Sequence, residues 1–219
     1  MAERGMFNRT TVLVLVAALA AGLGLWAAQT FTGPRADAGP TLETVRLLPQ
    51  ARDIPPFSLT AADGNPLTLE QLRGRWTLVF IGFTHCPDVC PTTLAELGQA
   101  EKRWSAALPE DARPRILFVS VDPERDSPER AGEYARYFSA NALAATADIP
   151  TLEHFAKSLG MVFMKTPLPG GSDPEAYTVD HSTQVALLDP QGRFAGLARP
   201  PLSPAKLGDD MATLAGAAR

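Results

Sequence analysis

Apolar and polar positions change their period several times along the chain, and each change marks an element. From Thr10 to Pro34 there is no charged residue, and Val12–Ala28 (VLVLVAALAAGLGLWAA) is an almost unbroken apolar run. At 1.5 Å rise per residue this run makes a helix of roughly 26 Å, close to a ~30 Å hydrocarbon core, so it predicts a transmembrane helix. Gly33–Gln50 is rich in Pro, Gly and Ala and reads as a linker. Pro56–Leu69 predicts two short strands around the turn Asp63-Gly64-Asn65-Pro66. Trp76–Phe83 (WTLVFIGF) and Arg115–Val121 (RILFVSV) are continuous β-favouring runs, the mark of strands buried on both faces. Thr92–Ala107 has helical character. Ser127 is placed to cap a further helix with Pro128 at its first position, and Thr151 to open a short one ending at Leu159. Val162–Lys165 reads as a short strand and Thr166–Tyr177 (TPLPGGSDPEAY) as an exposed loop. Thr183–Leu188 and Arg193–Leu197 flank the turn Asp189-Pro190-Gln191-Gly192 as a hairpin, and Ser203-Pro204 starts a C-terminal helix.

Strands and helices thus alternate, with central strands buried on both sides. This is an α/β pattern: a mixed central sheet with helices on both faces and an extra N-terminal hairpin. The chain divides into a cytoplasmic N-terminus and membrane anchor (residues 1–32), a linker (33–50) and one domain (51–219), whose length suits a single core.

Charge and cysteine usage narrow the setting. Arg4 and Arg9 precede the apolar run, so the positive-inside bias leaves the N-terminus in the cytoplasm and exports everything after Ala28. The competing reading is a cleaved signal peptide. The small-x-small site Ala36-Asp37-Ala38, however, lies about ten residues beyond the run, farther than such sites sit. Only nine residues precede the charge-free stretch, too few for an arginine-rich transit peptide, so a bacterial inner membrane with the domain in the periplasm is expected. Beyond the first 29 residues there are 18 basic and 23 acidic side chains. That balance argues against a nucleic-acid partner, which demands a basic face. In an oxidising compartment the two cysteines can pair, but a bridge closing so short a loop adds little stability, so the pair reads as functional.

Both cysteines lie in FTHCPDVCP, where Cys86 and Cys90 leave the C-terminal end of a buried strand and enter a helix N-terminus. Ligand sites in open α/β sheets gather at that edge, and the helix end favours a thiolate. Spacing alone does not separate a disulfide switch, a metal clamp and a peroxide-reducing thiol. Three histidines accompany the pair: His85 inside the motif, His154 in the Thr151–Leu159 helix, and His181 in YTVDHSTQV before the last hairpin. Asp122 and Asp126 in SVDPERD follow a strand at the same edge. Asp122 reads either as a carboxylate tuning the site or as a turn cap, Asp126 as a turn residue. Asp88 could offer an oxygen but reads as an exposed turn residue, and Met161 and Met164 read as packing around Phe163.

Taken together, FTHCPDVCP, VSVDPERDSPE (Val119–Glu129) and VDHS (Val179–Ser182) resemble the Sco/SenC family of copper chaperones for cytochrome c oxidase assembly, in matching order from about Pro55 to Leu214. The resemblance implies a thioredoxin-like fold and one copper ion per chain, held by Cys86, Cys90 and His181. It also implies delivery to the copper-bearing subunit of the oxidase, with another periplasmic copper carrier or a thiol reductant as further partners. Soft thiolates do select Cu(I), imidazole completes a trigonal site, and no fourth ligand for structural zinc is evident. Thr166–Val179 leads straight into His181 and would form a lid over such a site.

Two rivals remain. A thiol–disulfide oxidoreductase would use Cys86 and Cys90 as its redox disulfide, reducing the copper-site cysteines of the oxidase subunit. Against a general disulfide exchanger stand the CxxxC spacing, where thioredoxins carry CxxC, and the lack of any proline between Pro174 and Pro190. A peroxidase is suggested by Cys90-Pro91-Thr92, which is similar to the peroxiredoxin VCPT. That family has threonine where Pro87 stands here. The expectation is therefore a carrier and not an enzyme.

Overall fold

The computed structural model describes residues 8–31, 41–168 and 176–217. They fall into two compact units divided between Thr41 and Leu42.

The first unit contains one described helix, α1 (Arg9–Phe31). Its stretch Arg9–Ala28 is long and apolar enough to cross a membrane. The run is apolar all round and thus has no polar face to turn to water.

The second unit is built on an eight-stranded sheet in the order β1 (Val45–Arg52), β10 (Phe194–Ala198), β9 (Val185–Leu188), β4 (Thr77–Gly82), β5 (Arg115–Ser120), β6 (Leu143–Thr146), β2 (Ser58–Ala61), β3 (Pro66–Thr68). β4, β5 and β6 run parallel, and β9, β10 and β1 add antiparallel on one side. All six positions of β4 are buried, as its continuous β-favouring run implies. The sheet is therefore mixed and covered on both faces. The predicted N-terminal hairpin is β2–β3, with Ser58 opposite Thr68.

Three strands depart from expectation. Residues 45–50, read as linker, belong to β1, an edge strand that pairs with β10 from Val45 opposite Ala198. The alanine-rich β6 was not anticipated. The third is β8 (Tyr177–His181), which pairs with β7 (Phe163–Pro167) in a separate two-stranded ribbon. The expected loop Thr166–Tyr177 therefore has strand at both ends, and residues 169–175 lie outside the described residues, as does the Ala36–Ala38 site.

After the four-residue α2 (Leu69–Leu72), helix α3 (Val89–Ala107) buries Cys90, Leu94, Leu97 and Trp104 along one stripe. It approaches helix α4 (Pro128–Phe138) so closely at Gly98 that a Cβ there would lie 2.3 Å from the Phe138 carbonyl oxygen. Ser127 caps α4 as expected, its hydroxyl accepting from the Arg130 amide at 3.2 Å. Helix α5 (Ile149–Ser158) starts earlier than predicted, because Asp148, not Thr151, is its cap and accepts from the Thr151 amide at 2.9 Å. The last helix, α6 (Pro204–Ala217), packs on α3. Its buried Asp210 accepts from the backbone amides of Glu43, Thr44 and Val45, fastening the start of β1 to the helix.

Candidate metal centre

The C-terminal end of β4 creates the site. After Gly82 the chain turns through Thr84 and His85, with the Cys86 amide donating to the Phe83 carbonyl at 3.3 Å, and enters α3. Cys90 lies in the first turn of that helix, fully buried, and its amide donates to the Cys86 sulfur at 3.4 Å. The two thiols are free. His181 arrives from the far side, at the last position of β8, with Nε2 3.3 Å from the Cys90 sulfur. One donor atom from each of Cys86, Cys90 and His181 lies within 4.8 Å of the others, close enough for one ion to reach all three. The structure thus brings together the three residues that the resemblance singled out.

Each side chain is oriented by its surroundings. The Nδ1 of His181 lies 3.0 Å from the Ser182 carbonyl, which can only accept. Nδ1 therefore carries the proton, and Nε2 presents its lone pair to the sulfurs. Holding the distal nitrogen in this way is the usual means of fixing a metal-binding imidazole. The ring is wedged edge-on between Phe80 and Phe83, 5.9 and 6.1 Å away. Burial lowers its pKa against smaller opposing effects of the Ser182 carbonyl and Asp180, which keeps the imidazole neutral and able to ligate.

Burial acts in the opposite sense on Cys90. It pushes the thiol well above its ordinary value, with the neighbouring Cys86 adding to the effect. This corrects the sequence expectation that the helix N-terminus would favour a thiolate at this position. A half-charge at a helix end does not repay the removal of a sulfur anion from water.

Gly82 was not anticipated as a site residue. A Cβ at that position would stand 2.7 Å from the Cys90 sulfur and 3.2 Å from the Phe118 ring, so only glycine leaves room for the sulfur. Its signal in the sequence is a lone glycine closing an otherwise β-favouring run.

The carboxylates sort differently from the sequence reading. Asp126, read as a turn residue, is fully buried. It accepts from the Thr84 amide at 2.8 Å, the Thr84 hydroxyl at 2.5 Å and the Ser120 hydroxyl at 2.6 Å. It thereby pins the turn before Cys86 to the end of β5. Asp122 is buried beside Arg125 (2.6 Å) and the Tyr177 hydroxyl (2.7 Å). It touches neither cysteine nor His181, and steadies the first residue of the strand that carries His181. Its carbonyl also closes the turn to Arg125 and Asp126. Asp88 is exposed at the start of α3, makes no side-chain cap, and lies outside the three-donor group. Met161 is core, but Met164 is 64% exposed, against expectation, because β7 turns it outward. His154 and His85 are both exposed and lie outside the donor group.

A mixed α/β sheet with a Cys–Cys–His cluster at the carboxyl end of its central strand defines a class: a thioredoxin-like domain whose sheet edge carries a donor set for a soft metal. Comparison with known proteins makes the class specific. The chain belongs to the SCO1/SenC family, whose model matches residues 46–216.

A protein of Stutzerimonas stutzeri provisionally named for copper binding is 36% identical over 160 residues, 72% of this chain and 74% of its own. The human mitochondrial SCO1 homolog is 36% identical over 140 residues, 64% of this chain but only 45% of that protein. Among solved structures, Bradyrhizobium japonicum ScoI with copper bound is similar at a TM-score of 0.64 and 31% identity, covering 74% of this chain and 99% of that one.

Proposed function

We propose that this chain is a membrane-anchored copper metallochaperone: Cys86, Cys90 and His181 bind one copper ion and pass it to the binuclear copper centre of cytochrome c oxidase. The observation that carries the reading is the convergence of two free thiols and a neutral, correctly oriented imidazole on one point of the sheet edge. Copper-bound relatives support it, as does the chemistry of the donor set. Two thiolates and an imidazole suit Cu(I), while structural zinc takes four ligands.

The arrangement also suits release. Cys90 is buried, whereas Cys86 and His181 are half-buried, so a partner's ligand can approach from their side. Copper here is cargo, and three ligands leave an open position through which a fourth can enter and exchange. On this reading α1 is an uncleaved anchor in a bacterial inner membrane, residues 32–41 are the tether, and the domain from Leu42 onward works in the periplasm. The client is the oxidase's copper-bearing subunit.

The test is a copper titration of the reduced protein against a competing chelator, in both oxidation states. One tightly bound ion per chain, with a thiolate-to-Cu(II) charge-transfer band, is expected. Binding no tighter than to the Cys86→Ala, Cys90→Ala double variant would overturn the proposal.

A second reading, a dedicated reductase of the client's cysteines, draws on the free thiols and the 3.4 Å approach of the Cys90 amide to the Cys86 sulfur. General disulfide reduction, read as insulin turnover with a reductant, is expected near background; robust turnover would move the reductase reading to first place.

A further inference from the structure

The edge where the chain enters the domain carries a surface that the metal site does not use. β1 is the outer strand of the sheet, and with β10 and the start of α6 it frames a concavity of about 530 Å³. Three cations line it: Arg46, Arg199 and Lys206. Lys206 is paired with Glu43 at 2.6 Å. Arg46 and Arg199 are exposed, and among the described residues neither meets a carboxylate within ion-pair distance. The nearby acid Asp210 is buried and occupied by three backbone amides. The apolar residues Leu197, half-buried, and Pro201, exposed, line the same concavity. Arg46 stands directly opposite Leu197 in the ladder, so charge and apolar surface share one face.

Cations interleaved with exposed aliphatic side chains are the chemistry of a membrane interface. The cations meet phosphates while the aliphatic groups enter the headgroup region. A free-standing basic patch would not need Leu197 and Pro201 open to solvent beside it. The position along the chain points the same way. Only residues 32–41 separate α1 from the second unit, and ten residues reach at most about 36 Å.

We infer that the face formed by Arg46, Leu197, Arg199 and Pro201 is a docking surface for anionic phospholipid headgroups, resting on the reading of α1 as a membrane anchor. Docking there would fix which side of the domain faces the bilayer. The Cys86–Cys90 edge lies at the carboxyl end of the central strand β4, while the lipid face lies on the outer strand at the sheet's margin. By register the lipid face, at the start of β1 and the end of β10, lies toward the carboxyl half of β4 and two to three strands away from it.

The experiment uses the full chain in nanodiscs that carry a trace of lipid with a gadolinium-chelating headgroup, in phosphatidylglycerol-containing and pure phosphatidylcholine bilayers. Backbone amide signals of Arg46, Leu197 and Arg199 are expected to broaden in the anionic discs and to recover in pure phosphatidylcholine or in high salt. Those of Asn65 and Asn141, elsewhere on the domain, should change little. The Arg46→Glu, Arg199→Glu variant should lose the effect while keeping its remaining spectrum and copper stoichiometry; the milder Arg46→Gln, Arg199→Gln pair should weaken docking by roughly fivefold per arginine. Equal broadening in both lipids, or in the charge-reversed variant, would overturn the surface while leaving the anchor intact. So would inorganic phosphate reproducing the same shifts without a bilayer, since the site would then be one for a small anion. Failure of the full chain to co-elute with discs would overturn the anchor reading and the surface with it.

Discussion

At the scale of single residues the site is a set of narrow tolerances. His181 offers one nitrogen to the sulfurs because the other is committed to Ser182. His181→Ala is expected to weaken copper binding at least about tenfold while leaving the dithiol's redox behaviour nearly unchanged. Unchanged affinity in a chelator competition would make the histidine a bystander. Gly82→Ala drives a methyl into the Cys90 sulfur, now 2.7 Å from where it would sit. It should destabilise the fold by about 1–3 kcal/mol and weaken copper binding, read from thermal unfolding and the same titration.

The protonation of Cys90 gives a pH dependence of definite sign. Its pKa is raised, so near neutrality the metal-free protein holds a thiol there, and binding must expel that proton. The His181 pKa is lowered, so that ring releases no proton above its ordinary titration range. Copper affinity should therefore rise with pH, about tenfold per unit for each proton released, across roughly pH 7–8. A flat profile would remove Cys90 from the ligand set. At this scale the sequence marked the cysteines and placed His181 beside them by resemblance. It could not mark Gly82 or Asp126, whose roles exist only once β4, β5 and α3 have met.

At the scale of elements, legibility followed the strength of the local pattern. β4 and β5 are continuous β-favouring runs and were plain. β1 contains Pro49 and alternates poorly because one side of an edge strand faces water, so its composition resembles a linker. β6 is LAAT, short and dominated by alanine, whose β preference is weak. β8 pairs only with β7, and its partner is set by tertiary contacts no window reveals. The fastening of β1 to α6 is of this kind. Asp210→Ala would strand the amides of Glu43, Thr44 and Val45 at a partly buried junction and should cost about 1–3 kcal/mol. Chemical denaturation would measure it, with faster amide exchange confined first to β1. A change within error would mean that water replaces the carboxylate at no cost.

At the scale of the whole molecule, the two units separate between Thr41 and Leu42, and every donor of the candidate metal centre belongs to the second. A chain beginning at Leu42 is expected to fold, remain soluble and bind copper within about twofold of the full protein. Loss of affinity on truncation would show that the first unit contributes to the site. The clamp at Asp210 also has a mechanical meaning. Any pull on the segment entering at residue 42 meets a carboxylate on α6 before it can peel the outer strand from its ladder. α6 is bound in turn to α3 by its packing and by the Arg103–Asp209 pair, and α3 holds Cys90 in its first turn. Were α1 anchored as proposed, tension on the entering segment would reach the helix that bears the buried sulfur before it could unzip the margin of the sheet.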